Sequence, residues 1–149
     1  MLYRTSIATA ALLLLSAPAA SSAPASAASP PATVPTGVWR LAEGFDGATI
    51  RFARCQGDKL CGTVDRLGAG TPADARDVRN PDRNLRTRRV AGLTVFGPLT
   101  WRGNRWTGPG YSPQDGRHFT ANLVPSGNGL KMRGCVAVFC REVSFIRAS

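Results

Sequence analysis

The residues best equipped for chemistry crowd into one polar stretch, residues 68–91. It holds Arg76, Arg79, Arg83, Arg86, Arg88 and Arg89 against Asp74, Asp77 and Asp82. A guanidinium is a planar fork that grips a carboxylate or phosphate through two parallel hydrogen bonds. Arginine at this density reads in two ways. Facing out, Arg86, Arg88 and Arg89 with Asp77 and Asn80 form an anion-binding lid. Facing in, Arg86 or Arg88 bonds loop carbonyls and Asp77, holding a long loop in place. Asn80-Pro81 favours a turn, and Leu85 is the apolar residue placed to tuck the stretch onto the fold. Three aspartates are also cation-ligand chemistry, but the surrounding arginine charge opposes it.

Tyr111, Asp115 and His118 form a second group. Asp115 and His118 suit a general-base pair. Against that, Asp115-Gly116 is an ordinary turn dipeptide, and His118 alternates outward with Thr120. The chain has one His, which excludes a multi-histidine metal site. It shows no H-E-x-x-H, phosphate-binding loop, dinucleotide fingerprint or nucleophile elbow. The expectation is a non-enzymatic protein with no catalytic residue, no metal and no cofactor.

The rest of the chain must position these groups. Of 149 residues, 19 are Lys or Arg and 9 Asp or Glu, a formal charge of +10. Seventeen of the basic residues are arginines. Arg4 precedes an apolar run centred on Leu12–Leu15, and A-x-A patterns follow at 17–19 and 25–27. That is the pattern of a cleaved secretory signal, expected within 1–27. The run is too short to span ~30 Å of hydrocarbon, which takes ~20 residues. No transmembrane segment is expected after cleavage. Residues 28–36 are an Ala/Ser/Pro-rich flexible lead, and 37–149 are the folded domain. Loss of Arg4 leaves 18 basic and 9 acidic residues. The expected location is periplasmic or secreted. Nucleic acid is not an expected partner, because the chain reads as exported and carries no nucleic-acid motif.

Turn signals recur at intervals of about 8–12 residues with β-prone runs between them. The runs are 37–42, 48–55, 60–67, 92–102, 105–111, 117–124, 130–136 and 139–147. Gly97-Pro98 marks a bulge or break. Gly103-Asn104 is a hairpin signal that sets Trp101 opposite Trp106. A short helix fits within 81–89. Eight short runs with tight turns predict an all-β fold: a small antiparallel up-and-down barrel, whose closure removes both edges. Successive turns then alternate between the two ends. The Phe45 turn, the 68–91 stretch, the 113–115 turn and the 135–140 loop share one mouth. The mouth of a small barrel is a natural ligand site.

Four cysteines in an exported chain read as disulfides. The alternation of turns separates Cys55 from Cys140 and Cys61 from Cys135. It leaves two local hairpin staples, Cys55–Cys61 and Cys135–Cys140.

Two resemblances follow. Gly37-Val38-Trp39 with a late Arg147 is similar to the lipocalin and wider calycin pattern, which implies a Trp plugging the barrel base beneath the guanidinium. More extensively, the chain resembles the bacterial exported family known as domain of unknown function 2147. The matching stretches are G-V-W at 37, C-Q-G-D-K-L-C-G at 55–62 and D-V-R-N-P-D-R-N-L-R-T-R at 77–88. G-L at 92–93, W-T-G-P-G-Y-S-P-Q-D-G-R-H-F at 106–119 and L-K-M-R-G-C at 130–135 complete them. Phe145 stands where that family usually has Trp, and Phe119 where it more often has Tyr. The resemblance implies an exported β-barrel and no particular activity.

These readings converge on an exported binding barrel for a small or amphiphilic ligand. Its anionic group would meet Arg86, Arg88, Arg89, Asp77, Asn80, Tyr111 and Asp115. A cavity lined by Phe52, Leu93, Phe119 and Leu123 would favour it. A filled barrel would favour a cell-envelope module that docks anionic polymer, lipid headgroups or a protein partner.

Overall fold

The structure, a computed structural model, describes residues 33–149. The expected signal at 1–27, and the lead as far as residue 32, lie outside the described residues. Eight strands succeed one another: β1 Gly37–Leu41, β2 Thr49–Cys55, β3 Lys59–Arg66, β4 Thr94–Trp101, β5 Trp106–Ser112, β6 Arg117–Ser126, β7 Gly129–Val136 and β8 Phe139–Arg147. Each pairs antiparallel with the next, and β1 also pairs with β8, so the sheet closes into the expected up-and-down barrel. The strands keep the predicted order, with ends shifted by a residue or two. β4 starts late because Gly92 and Leu93 serve as a connection, bonded through the backbone to Val64.

Local chemistry explains the joints. Gly103-Asn104 turns β4 into β5 and pairs Trp101 with Trp106, their rings 5.5 Å apart. Gly97-Pro98 is a cis peptide, and the β4–β5 register shifts between Phe96 and Thr100. Proline has no N–H to give to a ladder, so it sits where pairing lapses.

The strand period of two sends alternate side chains inward. Phe52, Phe96 and Phe145 are buried and Phe119 packs against them. Phe52 lies 5.6 Å from Phe96 and 5.9 Å from Phe145 between ring centroids. Phe119 meets Phe96 edge-on at 6.1 Å. Small residues face these rings. A Cβ on Gly62 would stand 2.7 Å from Phe52 and 2.9 Å from Phe96; one on Gly110 would collide with Phe119. The barrel interior is therefore filled with aromatic carbon. Phe52 and Leu123, foreseen as cavity lining, are core residues; Leu93 and Phe119 pack beside them.

The base closes as the Gly-x-Trp pattern implied. The Arg147 guanidinium lies 4.4 Å from the Trp39 ring centroid and donates from Nη1 to the Thr36 carbonyl at 2.9 Å. Gly37 has φ +102°, and any Cβ there would press on Arg147. Glycine alone satisfies both demands.

Both expected disulfides are present, Cys55–Cys61 and Cys135–Cys140. Each bridges paired strands across a short loop, with sequence separations of 6 and 5. Loop-closure entropy for so few residues is about 2 kcal/mol per bridge. Replacing Cys55 and Cys61 together by serine should lower the free energy of urea unfolding by that amount and leave the circular dichroism spectrum native.

Candidate functional site

The stretch between β3 and β4 contains one regular turn, a 3-10 helix at Arg83–Leu85, inside the window foreseen for it. Asp82 caps it, its carboxylate accepting from the Asn84 N–H at 2.9 Å. Leu85, expected to tuck the loop down, is exposed, and Val90 packs against the core instead. The reason is that polar bonds, not an apolar anchor, attach the middle of this loop.

Asp77 is the centre of that attachment and is 0% exposed. Its Oδ1 accepts from the Tyr111 hydroxyl at 2.6 Å. Its Oδ2 accepts from Asn80 Nδ2 at 2.8 Å and from Arg88 Nε at 2.9 Å, with Arg88 Nη2 at 2.8 Å. Asn80, also buried, donates to the Tyr111 oxygen at 3.0 Å. Its own Oδ1 accepts from the Asp82 N–H at 2.9 Å. Arg86 Nε reaches the Asn80 carbonyl at 2.7 Å. Arg88 also lies over the Tyr111 ring, 5.4 Å from its centroid. Each buried polar atom named here has a partner, which is the condition for burying a charge at tolerable cost.

The electrostatics follow from this geometry. Burial alone would push the Asp77 carboxyl up. The hydrogen bonds from Tyr111, Asn80 and Arg88, together with the Arg88 charge, outweigh burial and hold it below the usual carboxylate range. Burial first, then Asp77, pushes the Tyr111 phenol up, so it stays a donor. A shielded carboxylate engaged by three side chains is a poor general base. It is a good anchor.

The anchor's position corrects the sequence reading in one respect. Gly110 faces inward onto Phe119, so its strand neighbour Tyr111 faces outward. Cross-strand His118 does the same, its ring 4.8 Å from Tyr111. The loop therefore drapes over the outer wall, and the Asp77 cluster does not line the barrel mouth. Two foreseen members lie apart from it. Asp115 is exposed in its turn, 3.9 Å from Arg117. Arg89 is exposed, and its backbone bridges to Arg76. Asp77, Asn80, Arg86, Arg88 and Tyr111 do come together.

Two hollows open on the outer wall. One, of about 210 Å³, lies beside the anchor and is lined by Arg88, Val95, Pro109, Tyr111 and His118 among others. The second, of about 610 Å³, runs along β6, β7 and β8. Its basic lining is Arg105, Lys131 and Arg133, set against Glu142, and it ends at the Cys135–Cys140 bridge. Lys131 Nζ is 3.5 Å from Glu142, which leaves a positive surplus. None of Arg105, Lys131 and Arg133 is a candidate site residue on sequence grounds. The alternation of β7 was the available signal: Lys131, Arg133 and Cys135 share the face opposite Leu130, Met132 and Gly134.

A closed eight-stranded antiparallel barrel, plugged by a Trp under a late Arg, is a lipocalin-like barrel. The solved structure of protein HP1028 from the human pathogen Helicobacter pylori, described as belonging to the lipocalin family, superimposes with a TM-score of 0.67. It covers 76% of this chain and 82% of its own at 19% identity, which establishes likeness of fold. The family model described as "Uncharacterized protein conserved in bacteria (DUF2147)" matches residues 37–147, and the chain belongs to that family. A search of curated proteins finds no match.

Proposed function

We propose that this protein is a non-enzymatic binding module of the bacterial envelope, acting outside the cytoplasm and through its outer surface. The observation that carries this reading is the filled interior. Phe52, Phe96, Phe119 and Phe145 occupy the space a lipocalin-like barrel would give a ligand. Both hollows lie on the outer wall, each with basic lining. Arg76, Arg86 and Arg88 bond within the loop, while Arg79, Arg83 and Arg89 present exposed side chains. An exposed guanidinium cluster and the Arg105–Lys131–Arg133 hollow suit a phosphate- or carboxylate-bearing partner. Two disulfides support an oxidising compartment.

The test pairs two probes. Tripolyphosphate, titrated at low salt and followed by amide NMR shifts, should perturb Lys131, Arg133 and the 76–89 segment. Affinity should fall steeply as salt screens the charges. N-phenyl-1-naphthylamine, which brightens in apolar cavities, should stay dim. Bright uptake with shifts at Phe52 and Phe119, or no response to tripolyphosphate at low salt, would overturn the proposal.

A further inference from the structure

The β7–β8 hairpin carries the most exposed apolar side chains among the described residues. Val138 is 86% exposed and Phe139 81%, with Val136 at 47%. They occupy the turn between Cys135 and Cys140, where a solvated loop would carry polar residues. Val136 pairs with Phe139 just beyond the bridge. Gly134, the last inward residue of β7 with a core contact, touches Phe119. Beyond it, the Val136–Phe139 pair, on the same strand face, meets water rather than the core. The hairpin thus projects past the barrel wall as a stiff point, with Ala137 at φ +51° in its turn.

What surrounds the point identifies its occupant. Arg133 and Arg141 stand within two residues of the bridge on either strand. The basic hollow runs down from the bridge through Arg133 and Lys131. By the alternation of turns in this closed barrel, the arginine-rich 68–91 loop shares the same end. An apolar tip backed by cations is complementary to an anionic bilayer, whose apolar layer lies beneath its phosphates. From Val138 to Arg141 is three residues, roughly 10 Å of strand. Interfacial segments seat their apolar face about 5–10 Å deep, so the tip would reach the acyl chains while Arg141 and Arg133 stay at the headgroups. A protein partner fits less well: a stable interface takes roughly 20–30 residues a side, and this apolar tip offers three. The bridge also fixes the hairpin beforehand, so insertion would order little new chain.

We infer that Val136, Val138 and Phe139 form a disulfide-stapled tip that dips into an anionic lipid bilayer. The inference deepens the proposed outer-surface binding and rests on it. The test uses residues 33–149, bridges intact, with vesicles of phosphatidylcholine containing equal phosphatidylglycerol, and with vesicles of phosphatidylcholine alone. The wild type should co-sediment with the first and not the second. The double variant V138S/F139S should bind at least about tenfold more weakly, because it loses most of the apolar transfer. Its disulfides, its circular dichroism and its tripolyphosphate affinity should stay unchanged. F139W should be quenched by brominated lipid, while Trp39, Trp101 and Trp106 in the wild type are not.

Tripolyphosphate binding without vesicle binding would overturn the tip and leave the proposed function standing. Failure of both would remove both. Vesicle binding equal in V138S/F139S would assign the membrane contact to charge alone and overturn the tip. Wild-type dimerisation lost in that variant, without vesicle binding, would assign the tip to a second copy and overturn it too.

Discussion

Phe52→Ala should destabilise the barrel by about 3–5 kcal/mol and give it a ligand site it now lacks. Phe52 is 1% exposed and contacts two further rings, so truncation removes transfer energy and leaves a void. The neighbours have little room to close it. Phe96 and Phe145 already meet at 6.2 Å, and Gly62 presents no side chain to fill the gap. Apolar voids of this kind stay dry and admit benzene. Urea unfolding gives the stability, and saturation-transfer NMR with benzene reports the new site. The wild type should show no benzene signal. A loss below about 1 kcal/mol, with no benzene uptake, would mean the ring cluster is far more compliant than close packing allows.

Asp77→Ala should release the long loop. It strands the Tyr111 hydroxyl without its acceptor, takes one of two acceptors from the Asn80 amide and leaves Arg88 without its counter-charge. Removing one member of a buried hydrogen-bonded set costs about 3 kcal/mol here. Arg88 contributes the smaller share, because its side chain is one-third exposed and partly screened. Hydrogen exchange of amides at 75–90 should quicken about a hundredfold, while strands β6 to β8 keep their protection. Exchange rates within a factor of three of wild type would show that Asp77 does not hold the loop. Acid should mimic the variant. The folded Asp77 carboxyl lies below its unfolded value, so its contribution is complete above about pH 4. It is lost as pH falls through the depressed folded value. Asp77→Asn should flatten that acid-side slope.

Much of this architecture is written locally. Strand order, the Trp101–Trp106 pairing and both disulfides follow from turn residues a few positions away, because each strand pairs with its sequence neighbour. The Asp77–Tyr111 bond joins residues 34 apart, and no short-range pattern says which face the loop will cover. Sequence places Tyr111 at the loop-bearing end of the barrel but does not say that its hydroxyl meets Asp77 on the outer wall. The interior was ambiguous for a similar reason. Phe52, Phe96 and Phe145 meet across nearly the whole domain. One local clue was available: Gly110 falls opposite Phe119 in a hairpin whose turn fixes the register. Phe145 is fully buried and Phe119 packs against the core, so both add a hydrocarbon ring to the interior.

The seam between β1 and β8 sets the order of assembly. Seven of the eight strand pairings are between neighbours and form as soon as both strands exist. The eighth joins Trp39 to Arg147, Arg40 to Ile146 and Leu41 to Phe145. Its loop-closure entropy is the largest in the molecule. As the chain emerges in synthesis from its N-terminus, hairpins zip in turn while β1 waits with an open edge. The final nine residues of β8 therefore act as a completion signal: until they arrive the sheet remains a ribbon, and Arg147 settling over Trp39 is the last latch.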